Sequence, residues 1–157
     1  MENSYFLFSA GGQDWLILVL EYDPRTVVIN WANKIVSQYP NRKVILLTHY
    51  YMGTGTHRDK DDIWNSLVKK FANFTMVLSG HVAGTGRRMD LGINGNQVYQ
   101  MLADYQSTSG GGDGYFRILD FYPSEHKFTV STYSPYVNKW KTDSSDQFEY
   151  DNVDFLQ

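Results

Sequence analysis

Two histidines follow two strongly apolar segments, and their positions make them the residues best suited to chemistry. The run KVILLT at 43–48 leads into His49, and the run FTMVLS at 74–79 leads into Gly80 and His81. Short continuous apolar runs are typical of strands that are covered on both faces of a parallel sheet. Ligand sites of open parallel sheets lie beyond the carboxyl ends of the strands, so both imidazoles should reach one sheet edge.

This arrangement predicts a shared metal ion. Neighbouring strands lie about 4.8 Å apart, and zinc binds imidazole nitrogens at about 2.0–2.1 Å. We therefore expect His49 and His81 to ligate a divalent ion (Zn, Mn or Fe), one ion rather than two, with Gly80 allowing the sharp backbone turn before His81. The alternative is that each histidine is an ordinary exposed or hydrogen-bonded loop residue, and the spacing alone leaves it open.

A tight metal site needs more than two ligands, because such sites hold at least three or four. Further donors must come from the loops. The candidate accessory ligands are His57, Asp104 and Asp113. Each of them also suits an ordinary role in a loop or a cap. His126 falls in a predicted turn between two strands, where we expect it to be exposed and to have no role.

The elements that must position the histidines begin with a β-hairpin, residues 5–9 and 15–21, around the turn sequence GGQD. Asp23 and Pro24 predict the start of a helix over 24–38, and apolar residues four apart predict a second helix over 60–72. A strand, a helix and a strand at this spacing imply a parallel crossover. The first half therefore predicts a parallel β-α-β-α-β segment.

The second half changes character, because alternating apolar and polar residues replace the continuous runs. The predicted strands are 87–91, 97–103, 115–122 and 127–133. Glycine-rich and proline-containing turns between them favour an antiparallel β-meander. The prediction for the whole chain is an α/β fold (with α+β character) forming one domain over 1–157, with the acidic tail 142–157 partly disordered unless its aromatic residues dock.

Composition excludes several classes of function. The chain has 157 residues, a net charge of −3 and no cysteine, so disulfide and thiolate chemistry is excluded. No basic run suggests nucleic acid as a partner, the longest apolar run is too short for a membrane span, and no signal-peptide pattern is visible. The 12 tyrosines and 4 tryptophans suggest surfaces that bind other molecules through aromatic side chains. Trp15, Trp31 and Trp64 fall at core positions, whereas Trp140 is the surface candidate for stacking on sugars or partner proteins.

Two segments carry a resemblance to a known family. VILLTHYY at 44–51 and MVLSGHVAG at 76–84 resemble the last two metal-binding blocks of the calcineurin-like metallophosphoesterases, and segments such as DWLILVLE, IWNSLVKKF and QMLADYQ resemble other parts of them. The resemblance implies an α/β sandwich and metal-dependent hydrolysis of phosphate monoesters or diesters. Two cations neutralise the phosphate charge in that chemistry. The resemblance also implies that His49 and His81 serve the same metal.

The departures from the family pattern concern the other ligands. The early blocks Asp-x-His, Gly-Asp-x-x-Asp and Gly-Asn-His do not occur, and Ala83 stands where the second histidine of Gly-His-x-His belongs. The chain thus resembles the C-terminal part of such an enzyme, and a complementary N-terminal half or self-association would have to complete it. The prediction is a phosphoesterase, or a truncated and weakened remnant of one. The alternative is a non-catalytic binding or structural module with exposed aromatic residues.

Overall fold

Two β-sheets pack against each other across an apolar layer in the computed structural model, which describes residues 2–155. The first sheet has six strands in the order β1-β2-β3-β4-β6-β5. Their bounds are β1 Ser4–Ala10, β2 Gln13–Leu20, β3 Lys43–Thr48, β4 Phe74–Ser79, β5 Gly84–Leu91 and β6 Gln97–Asp104. The second sheet has four strands, β7 Phe116–Tyr122, β8 Lys127–Ser134, β9 Lys139–Lys141 and β10 Phe148–Tyr150.

The centre of the first sheet is parallel. Strands β2, β3, β4 and β6 run in one direction, with Leu18 beside Leu46 and Leu46 beside Val77 in register. Antiparallel partners close the two edges, β1 beside β2 and β5 beside β6. The carboxyl ends of the four parallel strands therefore meet at one edge of the sheet, as the apolar runs predict for β2, β3 and β4.

The predicted α/β class is wrong. The described chain is mainly β, with two short helices, a mixed sheet and an antiparallel sheet instead of a parallel β-α-β-α-β sandwich. The second half does not form a continuous meander either: β6 forms a hairpin with β5 and also lies parallel to β4 on its other side, and β7 and β8 start a separate sheet. The reason is burial, because the run of β6 from Val98 to Leu102 is buried on both faces and needs a central position.

The helices are shorter than predicted. Helix α1 spans Thr26–Gln38 and α2 only Asp61–Ser66. The backbone of Leu67, with φ −136° and ψ −69°, ends α2 before a single 3-10 turn. Asp23 does not cap α1, because Arg25 occupies the N-cap position and Asp23 itself has a φ of 47°. The apolar periodicity thus found both helices but overestimated the second.

Each face of the first sheet has its own apolar core. One face packs against the helices, with alternate residues such as Leu16, Leu18 and Leu46 fully buried beneath Ala32 and Val36 of α1. The opposite face packs against the second sheet. Its members include Trp15, Met76, Tyr99, Met101, Phe128, Val130, Val153 and Phe155. The helices and the second sheet therefore lie on opposite sides of the sheet that carries the histidines.

The tail is part of the second core through docked apolar residues, which is the alternative to disorder that the sequence left open. Strand β10 pairs with β8, and Val153 and Phe155 are buried beyond it. Residues 156–157 of the predicted disordered tail lie outside the described residues. Within 2–155, no helix combines the length and the apolar character that a membrane span requires.

Candidate functional site

The structure brings His49 and His81 together at the carboxyl edge of the parallel strands. His49 directly follows β3, and His81 comes two residues after the last residue of β4. The centroids of the two imidazole rings lie 5.2 Å apart, with an angle of 65° between their planes. Both side chains are exposed. The predicted pair of imidazoles on neighbouring, parallel strands is therefore present.

The backbone turn that presents the second imidazole is made by His81 itself. His81 has a φ of 70°, in the left-handed region that favours glycine, and the amide of Val82 donates to the carbonyl of Gly80 at 2.9 Å. Gly80 has no positive φ, and a Cβ placed on it would have its nearest neighbours 3.9 Å away. The prediction that Gly80 provides the conformational freedom is wrong, and the unusual conformation belongs to the histidine.

Two tyrosines complete an aromatic cluster around the histidines. Tyr22 lies two residues beyond the end of β2, and its ring centroid is 5.0 Å from that of His81 and 5.9 Å from that of His49. Tyr50 places its ring 4.8 Å from His81 and is stacked on Tyr22 at 5.8 Å, with only 15° between the planes. Neither tyrosine was predicted from the sequence. The expectation that ligand sites lie beyond the ends of parallel strands was applied to β3 and β4 but not to β2, where it points to Tyr22.

Hydrogen bonds from the neighbouring strands hold the loop that follows His49. The amide of Met52 donates to the hydroxyl oxygen of Ser79 at 3.2 Å, and that hydroxyl donates to the carbonyl of Met101 at 3.3 Å. Further along, Gly86 packs so closely on this loop that a Cβ would lie 2.4 Å from the carbonyl oxygen of Gly53. The loop is therefore fixed against β4, β5 and β6.

Charged groups line one side of the aromatic cluster. The ammonium group of Lys60 pairs with Asp23 and lies 5.8 Å from the centre of the Tyr50 ring. Nε2 of His57 lies 3.0 Å from Oδ1 of Asp59. Removal from solvent, and then the nearby negative charge of Asp59, raise the pKa of the Tyr50 phenol. Tyr50 is therefore a neutral wall of the site at ordinary pH.

An open depression of about 520 Å³ adjoins His49 on the side of the sheet that faces the second core. It is bounded by the ends of four parallel strands. The lining residues are Val19, Leu20, Leu47, Thr48, His49, Leu78, Ser79, Gly80 and Ala103. A ligand at the histidines would therefore have an apolar floor on one side and the two tyrosines on another.

The predicted accessory ligands take up local roles. His57 is exposed and pairs with Asp59, and Asp104 accepts a hydrogen bond of 3.0 Å from the amide of Gln106. Asp113 lies in the glycine loop, with a φ of 48°. Among residues 2–155 no group of three or more carboxylate or imidazole side chains is placed to hold a metal ion. His126 is exposed in the turn between β7 and β8, as expected.

The spacing of the two imidazole rings fits that of two ligands bound to one metal ion. With a metal–nitrogen distance of about 2.0–2.1 Å, an imidazole centroid lies about 3.2 Å from the ion, so two rings at a tetrahedral angle are about 5 Å apart. The observed separation of 5.2 Å agrees with this spacing. Ala83 is exposed and brings no donor atom. The pair thus has the spacing of two imidazole ligands, and any further ligands of a metal ion would have to come from elsewhere.

Comparison with known proteins gives one relative and no family. No protein-family model matches the chain. A protein of Bacillus subtilis (strain 168), described as "Uncharacterized protein YvnB", is 37% identical over 151 residues, and the match covers 89% of this chain and 12% of the relative. The chain thus spans about an eighth of the length of the curated relative it matches. Neither comparison bears on the resemblance to metallophosphoesterases, which stays a prediction from the sequence motifs.

Proposed function

We propose that this chain is the C-terminal portion of a metal-dependent phosphoesterase, in which His49 and His81 ligate one divalent ion. The observation that carries the proposal is the pair of imidazoles, 5.2 Å apart at the edge where the parallel strands end. Imidazole is a suitable ligand for Zn, Fe and other transition metals. The motifs around the two histidines follow the same order as in the metallophosphoesterases. This resemblance is the reason for proposing a phosphate ester as the substrate.

The bound cation would act as a Lewis acid that neutralises the charge of a phosphate group. This chain's own residues have simpler tasks. His49 and His81 would supply the two nitrogen ligands, and the stacked rings of Tyr22 and Tyr50 would cover one side of the ion. Lys60 adds a positive charge near the Tyr50 ring, although Asp23 already pairs with it.

The remaining ligands require a second polypeptide segment or a second copy of the chain. Strand β1 is an edge of the first sheet and exposes large apolar side chains, Phe6, Leu7 and Phe8. Exposed edges of this kind are sites of strand pairing with another chain. We therefore propose a complementary N-terminal half, or self-association, as the partner that completes the site. The isolated chain should bind metal weakly and turn over substrate slowly.

Metal binding by the purified chain tests the proposal. Zn²⁺ or Mn²⁺ is titrated calorimetrically into the wild-type chain, the single variants His49→Ala and His81→Ala, and the double variant. Each single change should weaken binding at least tenfold. The variant His126→Ala is the matched control, because this histidine is exposed in a turn of the second sheet, and it should bind as the wild type does. Equal binding by the double variant and the wild type would overturn the proposal.

Substrate choice is tested separately with bis(p-nitrophenyl) phosphate, a chromogenic phosphodiester, in the presence of the metal that binds best. Hydrolysis should depend on both histidines. The variant His57→Ala tests the accessory histidine on the same loop. It should change the metal affinity less than twofold, because His57 contacts Asp59. Hydrolysis that persists in the double histidine variant would mean that the chemistry lies elsewhere.

A further inference from the structure

Three aromatic side chains stand in register across the second sheet. Phe116 of β7 is paired with Tyr133 of β8, and Tyr133 is paired with Trp140 of β9. We call these three residues the aromatic row. The ring centroids of Phe116 and Tyr133 lie 6.4 Å apart, and those of Tyr133 and Trp140 lie 4.7 Å apart. The row therefore crosses three neighbouring strands without a gap.

The aromatic row faces solvent. Successive residues of a strand point to opposite faces, and the intervening residues Leu119, Phe121 and Phe128 pack into the core between the sheets. Trp140 is 56% exposed and Phe116 is 47% exposed. Such large exposed rings leave apolar surface in water, which is unfavourable unless something covers it.

The rings are held in place rather than free. The hydroxyl of Tyr133 donates to Oδ1 of Asn138 at 2.7 Å. Phe116 stands edge-on to Tyr133, at 82° between the planes, while Trp140 is inclined to Tyr133 by 40°. Trp140 and Tyr133 are thus neighbouring rings, and Phe116 lies at the other end of the row. Rigid aromatic rings bind at a low cost in conformational entropy.

Polar groups follow the aromatic row on the same outer face. The next row pairs Ile118 with Ser131, and the row after it pairs Asp120 with Thr129. Thr129 is also paired with Glu149 of β10. Rows on one face are about 6.8 Å apart, two residues along a strand. Hydroxyls and carboxylates therefore lie one or two rows from the rings, and the outer face is not a continuous apolar patch of the kind that protein partners or membranes cover.

We propose that the aromatic row is a binding site for a neutral polysaccharide. A sugar ring has an apolar face, which stacks on Trp140 and Tyr133, and a rim of hydroxyls, which exchange hydrogen bonds with Ser131 in the next row. Neighbouring sugar units of the polymer reach Thr129 and the carboxylates of Asp120 and Glu149, two rows away. The carboxylates of Asp120 and Glu149 disfavour an anionic polymer such as a nucleic acid, because like charges repel at short range. This site lies on the second sheet, does not involve the histidines and does not depend on the proposed phosphoesterase activity.

Affinity electrophoresis tests the proposal directly. The chain is run through native gels containing hydroxyethylcellulose, dextran or soluble starch, and its mobility is compared with that in a gel without polymer. At least one polymer should retard the wild-type chain, and Trp140→Ala should lose at least 90% of that retardation. Addition of a chelator should change nothing. The matched control is Ile93→Ala, which removes an apolar side chain that is 69% exposed in the turn between β5 and β6 of the other sheet, and it should be retarded as the wild type is.

Several results would overturn the proposal. Wild-type mobility unaffected by all three polymers overturns it, and so does unchanged retardation of Trp140→Ala. If Trp140→Ala does not fold, as shown by its thermal transition, Trp140→Phe replaces it and should retain only part of the retardation. Self-association in light scattering that disappears in the Trp140 variant, without polymer binding, would assign the aromatic row to a protein contact.

Discussion

The amide of Gly80 donates a hydrogen bond of 3.0 Å to the carbonyl of His49. This bond joins the two loops that carry the imidazoles, because Gly80 immediately precedes His81. The backbone at the sheet edge therefore fixes the distance between the two residues that carry the rings. Pre-organisation of this kind is what a ligand site requires from its scaffold.

The two glycines near this edge should respond differently to a methyl group. Gly80→Ala should change the free energy of unfolding by less than about 0.5 kcal/mol, as for substitutions away from critical contacts, because a Cβ there finds its nearest atoms at 3.9 Å. Gly86→Ala should cost about 2 kcal/mol or more, because its Cβ would lie 2.4 Å from the backbone oxygen of Gly53. Urea unfolding followed by circular dichroism measures both values.

Equal free energies of unfolding of Gly80→Ala and Gly86→Ala would contradict the conclusion that only Gly86 is tightly packed. Metal titration of Gly80→Ala is a second check, since its amide is unchanged and the bond to His49 should persist. Its metal affinity should stay within twofold of the wild-type value.

A charged network beneath the same loop should make stability depend on pH. Oδ2 of Asp90 accepts hydrogen bonds from Arg58 and Arg88, both at 2.7 Å, and from Gln100 at 2.8 Å. Burial alone would raise the pKa of Asp90, but the hydrogen bonds from Arg88 and Gln100 and the two positive charges outweigh it and lower the pKa. Asp90→Asn should therefore cost about 1–3 kcal/mol at pH 7, the range for breaking a hydrogen bond to a charged group.

The sign of the pH dependence follows from the lowered pKa. A carboxyl group whose pKa is lower in the folded state stabilises the protein above its unfolded pKa of about 3.9. That contribution falls as the pH drops through the folded value. The stability difference between wild type and Asp90→Asn should thus be constant from pH 7 to 6 and shrink below pH 4. Asp61→Asn is the matched control, because Asp61 also binds Arg58, at 2.7 Å, but is exposed, and it should cost less than about 0.5 kcal/mol. A difference that grows on acidification would exclude the assigned role of Asp90.

The same network explains why the central position of β6 was not predicted. Gln100 interrupts the apolar residues of β6, so the sequence there reads as an alternating, half-exposed strand. In the structure Gln100 is fully buried, and its oxygen accepts hydrogen bonds from Tyr51 and Arg58, both at 3.0 Å. These partners are 49 and 42 residues away in sequence. No local pattern can show that such a polar residue is satisfied inside a central strand.

The candidate site was predictable to the extent that it depends on strand ends. KVILLT and FTMVLS are buried β3 and β4, and their carboxyl ends place His49 and His81 together. The left-handed backbone of His81 was not predictable, because glycine is the usual residue for that conformation and Gly80 stands next to it. Tyr22 was predictable by the same rule, because β2 is parallel to β3 and Tyr22 lies just beyond its end.

Tyr22 should matter for ligand binding more than for stability. Its side chain is 53% exposed, so Tyr22→Ala should change the free energy of unfolding by less than about 0.5 kcal/mol. Its ring packs against both imidazoles, and loss of neighbours that orient metal ligands lowers affinity by about tenfold or more. Calorimetric titration with Zn²⁺ should therefore show weaker binding. Tyr136→Ala, at a tyrosine that is 80% exposed in the second sheet, is the control and should bind as the wild type does. Weakened binding in both variants would point to a non-specific effect.

Phe155, although it lies at the end of the described chain, should be one of the most important residues for stability. Its side chain is fully buried, and its ring centroid lies 5.6 Å from that of Phe121 and 6.2 Å from that of Trp15. Phe155 thus fills space between the two sheets, and Phe155→Ala should cost about 3–5 kcal/mol, the range for a large aromatic residue in a core. Asp151→Ala, at an exposed position of the same tail, should cost less than about 0.5 kcal/mol. Urea unfolding compares the two variants, and a loss below about 1 kcal/mol for Phe155→Ala would mean that the tail does not hold the sheets together.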